Sequence, residues 1–198
     1  HDLGCLGAAI NERALERQLE MLKGMGCNAI RTSHNPPAPE LLDLCDRMGF
    51  LVMDEAFDMW KLAKNPDDYH LDWDEWHRRD LEDLILRDRN HPSVMMWSIG
   101  NEILEQWDDS GLEMTRELAE IVRALDTTRP VTSACNDPAP YNRIVRSGAL
   151  DVVGWNYHEK DYLTFREQYP QGKLIASETS SAIATRGAYD MPSDSVRV

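Results

Sequence analysis

The sequence lacks the features that would place it in a membrane or on a nucleic acid. No apolar run approaches the roughly 18 residues needed to cross a bilayer, and no basic run breaks an acidic chain in which 35 Asp and Glu face 21 Lys and Arg. The formal charge of −14 at pH 7 repels phosphate backbones and anionic lipid, so neither nucleic acid nor membrane is an expected partner. The opening His1-Asp2-Leu3-Gly4 has no initiator Met and no signal-peptide pattern. Cysteines are few: Cys5, Cys27, Cys45 and Cys135 show no CxxC spacing, which predicts reduced, buried thiols rather than a disulfide framework or a zinc site. GxGxxG and GxxxxGK[ST] are both absent, which removes the main support for a nucleotide fold. Without an HxxEH or similar ligand spacing, neither a metal nor a cofactor is expected. No linker, low-complexity tract or short repeat divides the 198 residues, so residues 1–198 are expected to form a single domain.

What is present is an alternation of amphipathic helices and short apolar strands. Leu15, Leu19 and Leu22 share one face of a helix over about Asn11 to Met25, closed by Gly26. A strand over Cys27–Thr32 follows, then a helix between Pro36-Pro37 and Gly49, and a second strand at Leu51–Asp54. A polar and aromatic insertion over about Asp58 to Asp74 leads to a helix through Leu81, Leu84 and Ile85, then a third strand at Val94–Ile99. Ser110-Gly111-Leu112-Glu113 reads as a capping box ahead of a helix carrying Leu118, Ile121, Val122 and Leu125. Further strands are expected at Val131–Ser133, Leu150–Trp155 and Leu174–Ser177, with helices over Pro138–Ser147 and about Asp161 to Tyr169.

Strict β-α alternation implies a parallel sheet covered by helices. Each strand ends in a chemically able group: Arg31 to His34, Asp54-Glu55, Asn101-Glu102, Ser133, Asn156-Tyr157 and Glu178. An open sheet concentrates such groups at one switch point, whereas a (β/α)₈ TIM barrel gathers them around one mouth, which favours an α/β barrel here. Glu102 and Glu178 each follow an apolar strand directly. Two carboxylates converging on one pocket suit glycosidic bond cleavage, one as proton donor and the other as an anion facing an oxocarbenium-like centre. The alternative is that each is a solvated loop glutamate.

Four ordered motifs carry a family resemblance: Arg31-Thr32-Ser33-His34-Asn35-Pro36-Pro37, Asp54-Glu55-Ala56-Phe57-Asp58, Arg87-Asp88-Arg89-Asn90-His91-Pro92-Ser93-Val94, and Trp97-Ser98-Ile99-Gly100-Asn101-Glu102. With Leu44-Cys45-Asp46 they make the chain resemble glycoside hydrolase family 2, from His1-Asp2 to Ser177-Glu178-Thr179, and most of all a bacterial β-galactosidase. The resemblance implies a retaining exo-β-glycosidase that hydrolyses terminal β-galactosides by double displacement, with Glu178 as nucleophile and Glu102 as acid/base. It further implies substrate-binding roles for Asn101, Tyr157, Arg31, His34 and Asp2, with Asn101 on the sugar 2-hydroxyl and Tyr157 and Arg31 holding Glu178 ionised. Chemistry asks for the same division: Glu178 must stay anionic beside a cation and donors, and Glu102 must begin protonated.

Several readings stay open at this level. Arg31 could instead neutralise structural acids such as Asp54 and Glu55, His34 could stiffen its loop, and Tyr157 could be a half-buried packing residue. Trp60, Trp73 and Trp76 could stack on sugar faces, with packing preferred for the last two, while Trp97 reads as core. Asp88 and His91 precede their strand and read as structural. Asp58-Met59-Trp60-Lys61 lacks the Glu-x-His pair with which some family members hold magnesium. Rival functions are a β-mannosidase, a β-glucuronidase or another clan-related glycosidase, and a non-catalytic carbohydrate-binding barrel. The chain resembles strands two to seven of eight, an incomplete barrel of about six β-α units. Its isolated form is therefore expected to hydrolyse β-galactosides poorly or not at all, and either to associate through its open side, as a homo-oligomer, or to need the missing strands to stay soluble. Accessory β-sandwich domains are expected in a longer chain, and either the bacterial cytoplasm or the periplasm fits. A retaining site predicts a separation of about 5–5.5 Å between the Glu102 and Glu178 carboxyls.

Overall fold

A computed structural model describes Leu3, Gly7 and residues 9–179. Among them six parallel strands hydrogen-bond in sequence order: β1 (Ala29–Arg31), β2 (Leu51–Glu55), β3 (Val94–Asn101), β4 (Val131–Cys135), β5 (Val153–Asn156) and β6 (Leu174–Glu178). Helices α1 (Glu12–Gly24), α2 (Pro39–Met48), α3 (Trp73–Asp88), α4 (Ser110–Leu125), α5 (Arg143–Arg146) and α6 (Tyr162–Gln168) alternate with them. A flat sheet of this order would hold β1 and β6 about 24 Å apart, five strand spacings. Instead Arg31 Nη1, at the end of β1, lies 2.8 Å from Glu178 Oε1 at the end of β6. The sheet therefore curls as a TIM barrel does, and its C-terminal strand ends converge. None of the described helices is long and apolar enough to cross a membrane.

Local chemistry explains the helices. Asn11 caps α1 by accepting the Ala14 amide at 3.0 Å, and Leu15 and Leu19 turn inward from it. Pro39 opens α2, and Gly49 closes it at φ +75°, a left-handed turn that favours glycine, with its amide on the Cys45 carbonyl at 2.9 Å. The Ser110 capping box does not form. Asp108 Oδ1 takes both the Ser110 amide at 2.9 Å and the Ser110 hydroxyl at 2.5 Å, so Ser110 already lies inside α4. The helix expected over Pro138–Ser147 contracts to α5. Asp137 binds the Ala139 amide in a local turn, and the Asn142 side chain caps the shorter helix through the Ile144 and Val145 amides.

Alternation along β2 and β3 sorts side chains between the barrel interior and the helices. Glu55 and Ser98 meet inside at 2.7 Å. On the other face, Trp97 is buried and donates its indole N–H to Asp126 at 3.0 Å, and the guanidinium of Arg129 lies 5.8 Å from its ring centre. Burial of large side chains such as Trp97, Leu42 and Ile99 contributes about 1.5–3 kcal/mol each for the aliphatic members. Cys45 and Cys135 are buried free thiols and Cys27 a partly buried one, as expected for these three, while Cys5 lies outside the described residues.

The 58–72 segment is tightly anchored. Trp60 is fully buried with its indole N–H on the Ile99 carbonyl at 2.8 Å, so it packs the core and offers no face to a sugar. Phe57, Tyr69 and Trp73 complete an aromatic cluster with ring centres 5.2–6.2 Å apart. Trp76 carries Arg79 over its ring at 5.0 Å.

Candidate active site

One buried polar network joins the ends of β1, β2, β3, β5 and β6. At its base Arg31 grips Glu55 through two bonds, Nε to Oε2 at 2.9 Å and Nη2 to Oε1 at 3.0 Å. Glu55 is fully buried and also accepts from Ser98 and from His34 Nδ1 at 2.8 Å. The same guanidinium donates to Glu178 Oε1 and to Asn101 Oδ1, each at 2.8 Å. Burial opposes the charge on Arg31, but the Glu55 and Glu178 carboxylates outweigh it and raise its pKa. Both open readings of Arg31 thus hold together: it neutralises Glu55, and it presents a cation to Glu178.

Glu178 is surrounded by donors. Tyr157 Oη donates to its Oε2 at 2.6 Å, and Arg31 and Asn156 Nδ2 reach its Oε1 at 2.8 and 3.0 Å. Burial would raise the Glu178 pKa, yet the Tyr157 and Arg31 bonds prevail and hold it below the ordinary carboxylate range. Tyr157 is therefore no mere packing residue. His34 is tied to Glu55 through Nδ1 and keeps Nε2 3.9 Å from Glu178 Oε1, with its side chain 31% exposed.

Asn156, fully buried, is the connecting group. Its Nδ2 lies 2.8 Å from Glu102 Oε1, 3.0 Å from Glu178 Oε1 and 2.9 Å from Asn101 Oδ1, while Ser177 Oγ donates to its Oδ1. Because one nitrogen reaches both carboxylates, their nearer oxygens cannot be further apart than those two bonds laid end to end. The two carboxyl groups therefore face the same point of the mouth. Asn101 is fixed from its other side: its Nδ2 donates to Asp58 Oδ1 at 2.9 Å, which also accepts from Lys64 Nζ at 2.9 Å. Burial opposes ionisation of Asp58, but these two donors lower its pKa.

Backbone strain collects at the same strand ends. Glu102, Tyr157 and His158 have φ of +44°, +63° and +55°, a left-handed region that costs such residues of order 1 kcal/mol or more each. Gly100 precedes them for steric reasons, since a Cβ there would meet Ile103 Cγ1 at 2.6 Å and Trp60 Nε1 at 3.0 Å.

The structure thus brings together Glu102, Glu178, Asn101, Tyr157, Arg31 and His34. Asp2 lies outside the described residues. Sequence reading missed Asn156, Glu55, Asp58 and Lys64 as members of the network. The first two stand at strand ends already marked as chemically able, and Asp58 continues the Asp54-Glu55 run, but nothing local marks Lys64. Elsewhere Asp43, Asp46 and His91 bring one oxygen or nitrogen each within 4.8 Å of one another. Asp46 already accepts His91 Nδ1 at 2.7 Å and the Ser93 amide at 2.9 Å, a structural tie before β3.

Residues 1–195 match the family profile described as glycosyl hydrolases family 2, TIM barrel domain. The chain is 54% identical to beta-galactosidase BoGH2A of Bacteroides ovatus over 98% of its own length and 26% of that protein. It is 36% identical to a putative beta-glucuronidase of Formosa agariphila over 94% of the chain and 16% of that protein. Among solved structures, a family 2 member from Bacteroides cellulosilyticus superposes with a TM-score of 0.87 at 45% identity, covering 93% of this chain and 24% of that one. The chain spans about a quarter or less of the length of these relatives.

Proposed function

The chain belongs to glycosyl hydrolase family 2, and on that premise we propose that it is the catalytic barrel of a retaining exo-β-glycosidase acting on terminal β-galactosides. Glu178 attacks the anomeric carbon and forms the covalent glycosyl intermediate. Glu102 protonates the leaving oxygen and then, ionised, activates the water that hydrolyses the intermediate. The observation that carries this reading is the single Asn156 amide nitrogen within hydrogen-bond reach of both carboxylates. Such close approach supports direct attack by one carboxylate over the wider separation of an inverting pair.

The surroundings support the division of labour. Glu178 lies against Arg31 and Tyr157, as an anionic nucleophile requires. Glu102 contacts the uncharged Asn156. Asn101 gives one amide hydrogen to Asp58, leaving its second for a sugar hydroxyl. A purely carbohydrate-binding barrel would have no need for the strained approach of Glu102. The galactoside assignment follows the β-galactosidase relative, and the glucuronidase relatives supply the second reading. Complete turnover is proposed to need strands and accessory domains outside this chain.

A panel of 4-nitrophenyl β-glycosides on the full-length protein tests the sugar. Galactoside should be the fastest substrate. A faster glucuronide or mannoside would overturn the sugar assignment, and no turnover of any β-glycoside would overturn the hydrolase reading.

A further inference from the structure

Lys64 reaches the carboxylate network from the 58–72 segment, where no sequence pattern marks it. Its Nζ lies 2.8 Å from the main-chain carbonyl of Asn101 and 2.9 Å from Asp58 Oδ1, and its side chain is only 19% exposed. Asp58 Oδ1 in turn accepts the Asn101 side-chain amide at 2.9 Å. One ion pair therefore holds Asn101 by its backbone and by its side chain, at the last residue of β3. The next residue is Glu102, which leaves the strand at φ +44°, a conformation that persists only where its surroundings enforce it.

The pair is itself firmly mounted. Asp68 Oδ2 accepts the Lys64 and Asn65 amides at 2.9 and 2.7 Å, and its Oδ1 binds the His70 amide and ring. The Leu62 amide donates to buried Glu105 at 2.7 Å, just beyond β3. Trp60 donates to the Ile99 carbonyl, within β3 itself. The segment is thus clamped to β3 before, at and after the catalytic turn, with a cation aimed at the turn.

We propose that Asp58 and Lys64 are positioning residues for Asn101 and Glu102: an internal ion pair that fixes the donor orientation of the Asn101 amide and the exit of the chain into the proton-donating glutamate. This rests on the reading of Glu102 as acid/base and Asn101 as hydroxyl ligand. A misplacement of about 1 Å at a reacting group costs on the order of a hundredfold in rate. The cost falls only on substrates that need the misplaced group.

The test is kcat/KM of the full-length protein on phenyl and 2,4-dinitrophenyl β-galactosides, whose leaving groups need much and little protonation respectively. Lys64→Met should lose about ten- to hundredfold more on the phenyl substrate than on the dinitrophenyl one, the loss common to both reporting Asn101, with Lys64→Arg recovering most of the loss. Equal losses on both substrates, or no loss, in a variant with unchanged circular dichroism would overturn the proposal. If Lys64→Met does not fold, Asp58→Asn decides: its loss should be greater on galactoside than on 2-deoxygalactoside, and equal losses overturn the proposal. Glu102→Ala is the reference. If it shows no selective loss on the phenyl substrate, the acid/base reading itself fails and takes this inference with it. If it shows that loss and Lys64→Met does not, only the positioning role fails.

Discussion

Replacing Asn156 by alanine probes the junction of the network. The amide nitrogen stands within 3.0 Å of three acceptors, Glu102 Oε1, Glu178 Oε1 and Asn101 Oδ1, but it carries only two hydrogens. It can therefore satisfy at most two of them at once, and the strongest bond goes to the anionic Glu178. Glu178 is the anionic acceptor while Glu102 begins protonated, so the loss counted is that of one hydrogen bond to a charged group, about 1.5–3 kcal/mol. At about 1.36 kcal/mol per tenfold, the expected fall in kcat/KM lies between about 10 and 10². The assay is kcat/KM on 2,4-dinitrophenyl galactoside with the full-length protein, beside a thermal melt, because Asn156 is fully buried and also holds Ser177. A folded Asn156→Ala variant that retains more than about a tenth of wild-type kcat/KM would refute the shared-donor argument.

Other consequences follow from particular contacts. Burial works against ionised Glu178, and Tyr157 and Arg31 overcome it; since the anion is the nucleophile, activity is lost as pH falls through its lowered pKa. Tyr157→Phe removes the 2.6 Å bond and should move the acid limb of kcat/KM to higher pH, whereas an unmoved limb contradicts the role. Burial and the neighbouring Asp88 carboxyl raise Asp54 from its ordinary 3.8 to about 8. The stability this proton supports is fully present below about pH 4 and lost as pH rises towards 8. The melting advantage of Asp54→Asn over wild type should therefore grow across that interval, and a pH-independent difference would contradict it. Gly100→Ala drives a methyl to 2.6 Å from Ile103 and should destabilise by about 1–3 kcal/mol in chemical unfolding; a neutral effect would show that Ile103 can move aside.

The order and number of strands were legible because each is an apolar run between glycines, prolines or charged helices. Their C-terminal ends were not, except where polarity was read as function. β2, β3, β5 and β6 extend through Glu55, Asn101, Asn156 and Glu178, polar residues that a hydrophobic pattern excludes but that backbone pairing retains. The Ser110 motif misled because Asp108, two residues earlier, takes the Ser110 amide that Glu113 would have accepted and also accepts from the Ser110 hydroxyl. Trp60 was ambiguous because a tryptophan in a polar insertion looks exposed until a partner such as the Ile99 carbonyl is found. Glu102 and Glu178 could be picked out because their strand ends share one mouth, and Arg31 and Tyr157 through the family resemblance. Lys64 could not, since its position depends on how Asp68 folds the preceding loop.

The central claim is that Glu178 bonds covalently to the sugar while Glu102 moves the proton. Incubating the full-length protein with 2,4-dinitrophenyl 2-deoxy-2-fluoro-β-galactoside slows both steps but spares the good leaving group, so the intermediate should accumulate. Peptide mass spectrometry should then find one fluorogalactosyl group, on Glu178, with a matching burst of dinitrophenolate. An adduct on Glu102 would reverse the two roles, and steady turnover with no adduct on any residue would contradict the double-displacement account.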